Sequence, residues 1–257
     1  MEGNDRGRQA LEEWQKSIKE NGFDSDFAHS VSLYRPQLEK ELKAFGDKVV
    51  QELEPIVQEN NLAGNLPRLE RYDGIGEPVD EVVHHPSYEQ AGNIIYGSKL
   101  LERLSKTGGL LDALCFMYLS SQAGEAGHNC PLACSAGIIR VLQKVKNVPN
   151  AELFIKKLID SSYSTNFTGA QFITEVQGGS DVGLNATQAH QDEKGNWRIK
   201  GEKWFCSNAD AELILLTARF DPKLEGTKGL GLFLVPKTIE GKPNSYHLRR
   251  LKDKIGT

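Results

Sequence analysis

The sequence predicts an α+β protein: an N-terminal helical bundle domain followed by an antiparallel β-sandwich or barrel domain. Apolar residues recur every three or four positions from Leu11 to about Leu158, as in amphipathic helices. After about Thr165 they alternate with a period of two, as in strands. No helical pattern interrupts these strands, which favours separate helical and sheet domains. We therefore predict an extension with a short helix over residues 1–35, a helical domain over 36–165 and a β-domain over 166–257.

The helical domain is predicted to contain both amphipathic and fully buried helices. An apolar stripe begins just after Pro36 and comprises Leu38, Leu42, Phe45, Val49, Leu53 and Ile56. Residues 110–119 are apolar nearly all round, so we expect them to form the most buried helix. A further helix is predicted to begin near Pro131, with Asn129 as its cap. Residues 60–86 are rich in glycine, proline and charge, and we interpret them as a long surface excursion without a regular element.

The β-domain is predicted from a series of short strands. Turn residues such as Gly195, Pro222 and Gly241 separate the strands. The predicted strands cover residues 171–175, 184–190, 196–200, 211–220, 229–235 and 245–251. Because closely spaced strands without intervening helices pair most simply with their neighbours, they favour an antiparallel arrangement.

Composition and charge exclude several classes of protein. Of the 257 residues, 39% are hydrophobic and 26% charged, which is ordinary for a globular protein. A net charge of -4 gives no field that would gather nucleic acid phosphates, so nucleic acid is not expected as a partner of this region. The polar N-terminus has no signal-peptide centre and no apolar run is long enough to span a membrane. We therefore expect a cytoplasmic protein without a membrane span.

The cysteines do not indicate a disulfide framework or a metal site. Cys130 and Cys134 are four residues apart on a predicted helix, and no further cysteine or histidine follows at ligand spacing. We therefore expect reduced thiols that are buried or half-buried there, and no metal.

The first segment with chemical character follows the first predicted strand. It contains Gly178, Gly179, Ser180 and Asp181. Adjacent glycines allow a backbone to come close to a ligand, and the next residues present a hydroxyl and a carboxylate to it. The same residues are also typical of a plain turn between strands, and the segment alone does not separate the two interpretations.

The second segment runs from Gly201 to Asn208 and contains Lys203, Trp204 and Phe205. Adjacent aromatic residues on a strand point to opposite faces, so one ring is expected in the core and the other at a surface or a ligand. Without further information, Phe205 is the ring expected in the core.

Together, the two segments resemble the middle domain of acyl-CoA dehydrogenases. The shared features are a strand ending in Thr-Glu, a Gly-Ser-Asp turn, a hairpin, and Gly-x-Lys, an aromatic pair and Ser-Asn about thirty residues later. The order agrees over roughly residues 35–257, and residues 250–256 resemble the segment that leads into the family's C-terminal bundle. Within the family, the chain is most similar to the AidB-like branch, through Arg71-Tyr72-Asp73, His85-Pro86-Ser87-Tyr88 and Trp-Phe-Cys-Ser among others.

The resemblance implies that FAD is the cofactor and assigns roles to individual residues. Thr174 matches the residue that bonds the pyrimidine edge of the flavin, and Ile173 the apolar residue lying against the ring. Gly179 lets the backbone approach, and Ser180 matches a residue near the flavin pyrophosphate and the pantetheine of the substrate. The remaining residues implied for FAD are Phe205, Cys206 and Ser207, and Ser180 and Asp181 are implied for acyl-CoA. Phe205 replaces the usual tryptophan, Ser207 the usual threonine, and Val176 the usual proline of the turn.

The resemblance also places functional parts outside these residues. In the family a glutamate in or near the C-terminal helical domain removes the α-proton of the acyl-CoA, so no catalytic residue is assigned in this chain. The implied partners are a C-terminal helical bundle, as a domain or a subunit, and further copies of the complete protein in a homo-oligomer. We expect Glu125 to be a solvated or capping carboxylate, and His84 and His85 to be surface or capping residues.

Three functions follow from these observations. The first is an FAD-dependent acyl-CoA dehydrogenase-like oxidoreductase. The second is a non-catalytic acyl-CoA or flavin-binding module, or one half of a split enzyme, with a regulatory or alkylation-stress role. The third, a stress-protective protein associated with DNA, has little support from the few basic residues near the C-terminus.

Overall fold

The computed structural model describes residues 2–253, of which the first part is helical. A π-helical turn over Val49–Leu53 joins two of the helices into one continuous segment. The helices are α1 (Glu2–Asn21), α2 (Ser25–Tyr34), α3 (Glu39–Lys48), α4 (Glu54–Asn60), α5 (Pro86–Gly97), α6 (Leu100–Ser105), α7 (Leu110–Gln122), α8 (Asn129–Lys144) and α9 (Ala151–Leu158).

One large apolar core holds the helices together. It includes the predicted stripe, of which Leu42 and Leu53 are completely buried. Its other members with almost no exposure are Ile95, Phe116, Leu119, Leu132, Ile138, Ile139 and Leu158. Because these residues recur at helical spacing, helices α2 to α9 each turn an apolar face to the same interior.

Helix α8 is capped by a buried carboxylate. Glu125 accepts hydrogen bonds from the backbone N–H groups of His128 at 2.6 Å and Asn129 at 3.0 Å. A carboxylate there satisfies donors that have no partner inside the helix and lies at the positive end of the helix dipole. The capping role expected of Glu125 is confirmed, although its side chain is buried and not solvated. Burial raises the pKa of Glu125, and the bonds from the helix oppose that rise.

The prediction that residues 110–119 form the most buried helix is wrong. In α7, Phe116 and Leu119 are buried, but Leu110, Leu114 and Tyr118 on another face are exposed. A helix that is apolar on all sides has no polar face for water, which is why its sequence predicts complete burial. In α7, the rest of the described chain packs against only one side of the helix and leaves the other side exposed.

The interpretation of residues 60–86 as lacking a regular element is also wrong. Strands β1 (Arg68–Tyr72) and β2 (Pro78–Val83) form an antiparallel hairpin. Nearly all of its side chains are exposed or half-buried, so it lacks the alternation by which a strand is recognised in a sequence. The Arg71 guanidinium donates hydrogen bonds to Asp80 within the hairpin and to the carbonyl groups of Leu248 and Arg249. The hairpin is therefore fastened to the end of the chain.

The second part of the chain forms a five-stranded mixed sheet. Strand β6 pairs in parallel with β3 and at its last residue with β4, and antiparallel with β7 along its whole length. The strands of the sheet are β3 (Gly169–Phe172), β4 (Gln188–Gln191), β5 (Trp197–Lys200), β6 (Leu213–Arg219) and β7 (Leu230–Pro236), and two short strands, β8 (Thr238–Ile239) and β9 (Lys242–Pro243), pair with each other beyond them. Because β7 occupies one edge of β6, β3 and β4 share the other edge.

The α+β class, with helices first and a sheet second, is confirmed, whereas the fully antiparallel pairing is not. The parallel pairing of β3 with β6 requires a crossover, and the β4–β5 hairpin and its loops provide it without an α-helix. Spacing between strands therefore does not reveal the crossover. The strand predicted at residues 245–251 is absent, and that segment has no regular secondary structure. Across residues 2–253, no helix is long and apolar enough to cross a membrane.

Strand β6 contributes to two separate cores. Leu213 and Leu215 belong to the large core of the helices. Ile214, between them, belongs to a smaller core with Ala170, Phe172 and Ala211. Successive side chains of a strand point to opposite faces, so one strand packs against the helices on one side and completes the β-region on the other.

Candidate functional site

The two segments that the sequence singles out lie side by side in the structure. The backbone N–H of Trp204 donates a hydrogen bond of 2.9 Å to the carbonyl of Thr174, thirty residues earlier. This bond lies two residues beyond Phe172, at which β3 ends. The residues that lead into the glycine turn of the first segment are thereby attached to the aromatic pair of the second.

A buried ion pair fastens the same two segments. The Lys203 ammonium lies 2.7 Å from the Glu175 carboxylate, and the two side chains are only 5% and 3% exposed. Lys203 also donates to the carbonyl of Ile173 at 3.3 Å, and Glu175 accepts from the backbone N–H groups of Ala186 and Thr187. Buried charges are tolerated only when they are paired and hydrogen-bonded, as both are here.

The contacts of Glu175 change its protonation. Burial alone raises the pKa of the carboxyl, but the hydrogen bonds from Lys203 and from the backbone outweigh it and lower the pKa to about 2. Glu175 is therefore ionised at neutral pH and acts as an anchor. The sequence shows Glu175 and Lys203 within the two segments, but gives no sign that they pair.

The glycine pair forms a tight turn. Glu175 and Gly178 exchange two backbone hydrogen bonds, of 3.2 and 3.1 Å. A Cβ atom at Gly178 would lie 2.6 Å from the carbonyl oxygen of Asp181, so a side chain there would displace the backbone. Asp181 itself accepts a hydrogen bond from the N–H of Gly183 at 3.0 Å, which fixes the end of the turn. The sequence allows either a plain turn or a ligand-binding loop for this segment. The structure shows a turn, and this turn leaves room for a ligand.

The residues after Gly178 are open to an approaching molecule. Gly179, Ser180 and Asp181 are exposed, and Thr174 and Ile173 are half-buried. A Cβ atom at Gly179 would meet nothing closer than the Thr174 methyl at 3.8 Å. The turn and the two residues after β3 thus form one accessible surface.

The aromatic pair departs from the strand geometry that the sequence predicts. Phe205 is 58% exposed and Trp204 42%, and their rings meet edge to face at 5.5 Å. Phe205 has a φ of +55°, a left-handed conformation that breaks the alternation of a strand. Phe205 is therefore not a core residue, contrary to the expectation from the sequence. The Lys252 ammonium lies 4.2 Å from the centre of its ring.

The next residues divide between core and surface. Cys206 packs against the small core of the β-region, and burial raises the pKa of its thiol to about 11, whereas Ser207 is exposed. Asn208 has a φ of +54°, and its side-chain amide donates 3.0 Å bonds to Thr168 and Gly169. Asn208 thus ties the second segment to the start of β3. The Ser-Asn pair is visible in the sequence, but this structural role is not.

The other candidates of the sequence have structural positions. His85 accepts a hydrogen bond from the N–H of Ser87 and caps α5, which confirms the capping role. His84 is half-buried, and its ring stacks on Tyr88 with centroids 3.9 Å apart.

The cysteine pair on α8 is free of disulfides. Cys134 is half-buried, as expected, but Cys130 is exposed, so that part of the expectation is wrong. Within residues 2–253, no cluster of three or more histidine, cysteine, aspartate or glutamate side chains is arranged to hold a metal ion.

A helical region followed by a mixed sheet with a Thr-Glu strand end, a Gly-Ser-Asp turn and an attached aromatic pair is the arrangement expected for the first two domains of an acyl-CoA dehydrogenase. Residues 170–257 match the family described as the acyl-CoA dehydrogenase middle domain. Residues 19–165 match the adaptive response protein AidB N-terminal domain. The chain therefore belongs to the acyl-CoA dehydrogenase family, within its AidB-like branch.

Individual relatives agree with this assignment. Acyl-CoA dehydrogenase family member 11 of Caenorhabditis elegans is 31% identical over 84% of this chain and 37% of its own length. AidB of Escherichia coli is 31% identical over 75% of this chain and 37% of its own length. The solved structure of Caenorhabditis elegans ACDH-11 in complex with C11-CoA superposes with a TM-score of 0.77 at 28% identity, over 90% of this chain and 42% of that one. This chain thus spans less than half the length of these relatives.

Proposed function

We propose that this chain supplies the flavin-facing and acyl-CoA-facing surface of an FAD-dependent acyl-CoA dehydrogenase-like oxidoreductase. The reaction would be the α,β-dehydrogenation of an acyl-CoA thioester, with hydride transfer to the flavin. The observation that carries the proposal is the attachment of the two segments to each other, by the Trp204–Thr174 hydrogen bond and the Glu175–Lys203 ion pair. That attachment brings two segments thirty positions apart side by side.

The residues of this surface fit the proposed cofactor. Phe205 offers an exposed aromatic ring, Ser180 and Ser207 offer exposed hydroxyls, and Gly179 has no side chain in the way. A flat ring system with a charged pyrophosphate needs such a combination of apolar face and hydrogen-bonding groups. Bound FAD would accept the hydride, while the chain's own residues would bind and orient it. Thr174, Ile173 and the backbone at Cys206 complete the proposed FAD surface.

The proposed substrate and partners follow from the relatives. The C11-CoA bound in the Caenorhabditis elegans complex supports an acyl-CoA substrate here. Ser180 and Asp181 are the residues proposed to lie beside its pantetheine. The proposed partner is a C-terminal helical bundle, carried as a domain or a subunit, in a homo-oligomer. The exposed apolar face of α7, with Leu110, Leu114 and Tyr118, supports such an association because large apolar patches are rarely left in water.

FAD binding by the isolated chain is expected to be weak or absent and its dehydrogenase activity nil. In the family the flavin lies between the β-domain and the C-terminal bundle, so a polypeptide made of these 257 residues alone would provide only one wall. Losing several central contacts, at roughly 2 kcal/mol each, weakens binding by orders of magnitude. A purified chain that is yellow and reduces an electron acceptor with acyl-CoA would contradict this expectation.

Amide NMR with millimolar FAD tests the proposed surface even when binding is weak. We expect shifts of the amides on this surface, among them those of Thr174, Gly179, Ser180 and Ser207, and none outside it. A Gly179→Leu variant should abolish them, because the site has room for the side chain but the ligand would then collide with it. The matched control is Gly74→Leu, which has equally open surroundings in the β1–β2 turn.

The outcomes separate the proposed function from its alternative. Shifts confined to this surface, together with turnover once a C-terminal bundle is supplied, support the dehydrogenase. FAD or acyl-CoA binding without turnover in that assembly identifies a non-catalytic binding module. Absence of shifts in this chain and in the assembly contradicts both.

A further inference from the structure

A polar cleft, distinct from the proposed FAD surface, lies where the helical region meets the sheet. It has a volume of about 370 Å³ and is open between the start of α5, the segment leading into β3 and the loop before β6. Volumes of this order accommodate small-molecule ligands. The side chains that define it include Tyr88, Glu89, Tyr163, Asn166, Asp210 and Glu212.

Hydrogen bonds hold one wall of the cleft in place. Glu212 accepts two bonds from Thr168, from its backbone N–H at 2.7 Å and its hydroxyl at 2.9 Å. The Thr168 hydroxyl in turn accepts a 3.0 Å bond from the side-chain amide of Asn208. This chain of bonds fixes the Glu212 carboxylate beside the cleft, so the site is preorganised.

The charge of the cleft is negative. Three carboxylates line it, and among the residues that the structure describes no lysine or arginine does. Burial raises the pKa of the Tyr163 phenol, and the charges of Asp210, Glu212 and Glu89 raise it further. The negative charges of the three carboxylates therefore all act on the Tyr163 phenol in the lining of the cleft.

One residue that lines the cleft also carries a buried hydrogen-bond donor without a partner. Asn166 lines the cleft, is 9% exposed, and its side-chain Nδ2 is buried without a hydrogen-bond partner. A buried donor without a partner costs about 1–3 kcal/mol, and such groups are rare in folded proteins. A ligand that offers an oxygen to Asn166 would remove that cost.

We propose that this cleft binds a small primary ammonium compound that also carries hydroxyl or carbonyl oxygens, of which an amino alcohol is the simplest class. The ammonium would pair with Asp210 and Glu89, and an oxygen would accept a hydrogen bond from Asn166. Phosphate-bearing ligands such as CoA or FAD are excluded because the carboxylates repel them. An acyl chain would strip water from three carboxylates without replacing its hydrogen bonds.

Two probes of nearly identical shape test the proposal. Tris(hydroxymethyl)aminomethane carries one ammonium and three hydroxyls, whereas pentaerythritol has a fourth hydroxymethyl group in place of the ammonium. Amide NMR titration at pH 7 should give a Kd of about 1 mM for the first and at least roughly tenfold weaker binding for the second. The shifts should lie at Asn166, Asp210 and Glu89, away from Gly179 and Ser180.

Charge-neutralising variants provide the control. Asp210→Asn should weaken binding of the ammonium probe about tenfold, whereas Glu152→Gln, on the exposed side of α9, removes the same charge outside the cleft and should leave it unchanged. Equal binding of the two probes, no binding of either, or equal effects of the two variants overturns the proposal. Because these shifts and those expected from FAD lie at different residues, either proposal can fail without the other.

Discussion

The helical region and the β-region of this chain are held together by different forces. The helical core is a continuous cluster of leucine, isoleucine, valine and aromatic side chains around Leu53 and Phe116. Among the residues that the structure describes, the smaller cluster of the β-region has four buried apolar members. In the β-region, the Glu175–Lys203 ion pair and the hydrogen bonds of buried Asn185 to Ile173 and Thr217 take the place of apolar contacts.

This difference predicts that the helical core tolerates substitutions, whereas the β-region requires one particular arrangement of side chains. Apolar contacts lack direction, so a helical core accepts substitutions of similar volume. A buried ion pair works only in one arrangement, because each charge needs its partner at hydrogen-bond distance. The ion pair lies within the two segments proposed to face the flavin, whose residues must be held in fixed positions to bind it.

The largest loss of free energy of unfolding is expected from breaking the Glu175–Lys203 ion pair. Lys203→Met keeps the length of the side chain but leaves Glu175 charged and buried without its partner, so the free energy of unfolding should fall by about 4 kcal/mol. Urea denaturation measures this loss. Lys200→Met, at the exposed end of β5, should change it by less than about 0.5 kcal/mol. Equal losses in the two variants would remove the distinction between the regions.

A cavity in the helical core should cost slightly less. Leu53→Ala removes a completely buried side chain and should lower the free energy of unfolding by about 3 kcal/mol. Leu62→Ala, at an exposed position, is the matched control and should be nearly neutral. In contrast to Lys203→Met, Leu53→Met should be tolerated within about 1.5 kcal/mol, because its volume is similar. A loss with Leu53→Met as large as with Leu53→Ala would argue against a tolerant core.

The two regions should also respond to acid in different pH ranges. Burial lowers the pKa of His128 in the helical region to about 4, although its hydrogen bond to the Tyr88 carbonyl opposes this. The unfolded chain then binds the proton first, so this contribution to stability is lost as pH falls from about 6.5 to about 4. Glu175, with its pKa lowered to about 2, contributes stability that is lost from about pH 4.5 downwards.

Unfolding free energies measured from pH 7.5 to 2.5 would resolve these two contributions. Each pKa difference corresponds to on the order of 3 kcal/mol. His128→Gln should flatten the upper part of the profile and Glu175→Gln the lower part. If either variant flattened the other part, the assignment of that titration would be wrong.

The smallest effect is expected at the surface of the proposed site. Lys252→Gln removes the ammonium above the Phe205 ring and should change stability by only about 0.5 kcal/mol. It should nevertheless alter the aromatic proton shifts of Phe205, because the charge lies 4.2 Å from the ring centre. An unchanged Phe205 spectrum would show that the contact is not kept in solution.

The sequence predicts those parts of the fold that depend on periodicity. The stripe containing Leu42 and Leu53 identifies the helical core because hydrophobic burial repeats with the helix. The β1–β2 hairpin and the exposed side of α7 depart from that rule, because neither alternation nor apolar content corresponds to burial there. The parallel pairing of β3 and β6 is set by a crossover, which local sequence does not encode.

The motifs of the candidate site are visible in the sequence, but the bonds that join them are not. The turn at Gly178 and the aromatic pair at Trp204 carry local signals of glycine and aromatic residues. The ion pair of Glu175 and Lys203 joins residues 28 positions apart, and charged residues at that distance are as common on surfaces as in partnerships. The left-handed backbone of Phe205, which brings its ring to the surface, has no sequence signal because phenylalanine rarely adopts it.

Strand β6 has a consequence for cooperativity. Its Leu213 and Leu215 side chains complete the interior of the helices while Ile214 completes that of the sheet. Neither interior can be exposed to water without detaching this strand, so partial melting of one region raises the free energy of the other. A heating curve of the intact chain should accordingly show a single calorimetric peak, and a protease should find no cut that releases one region in folded form.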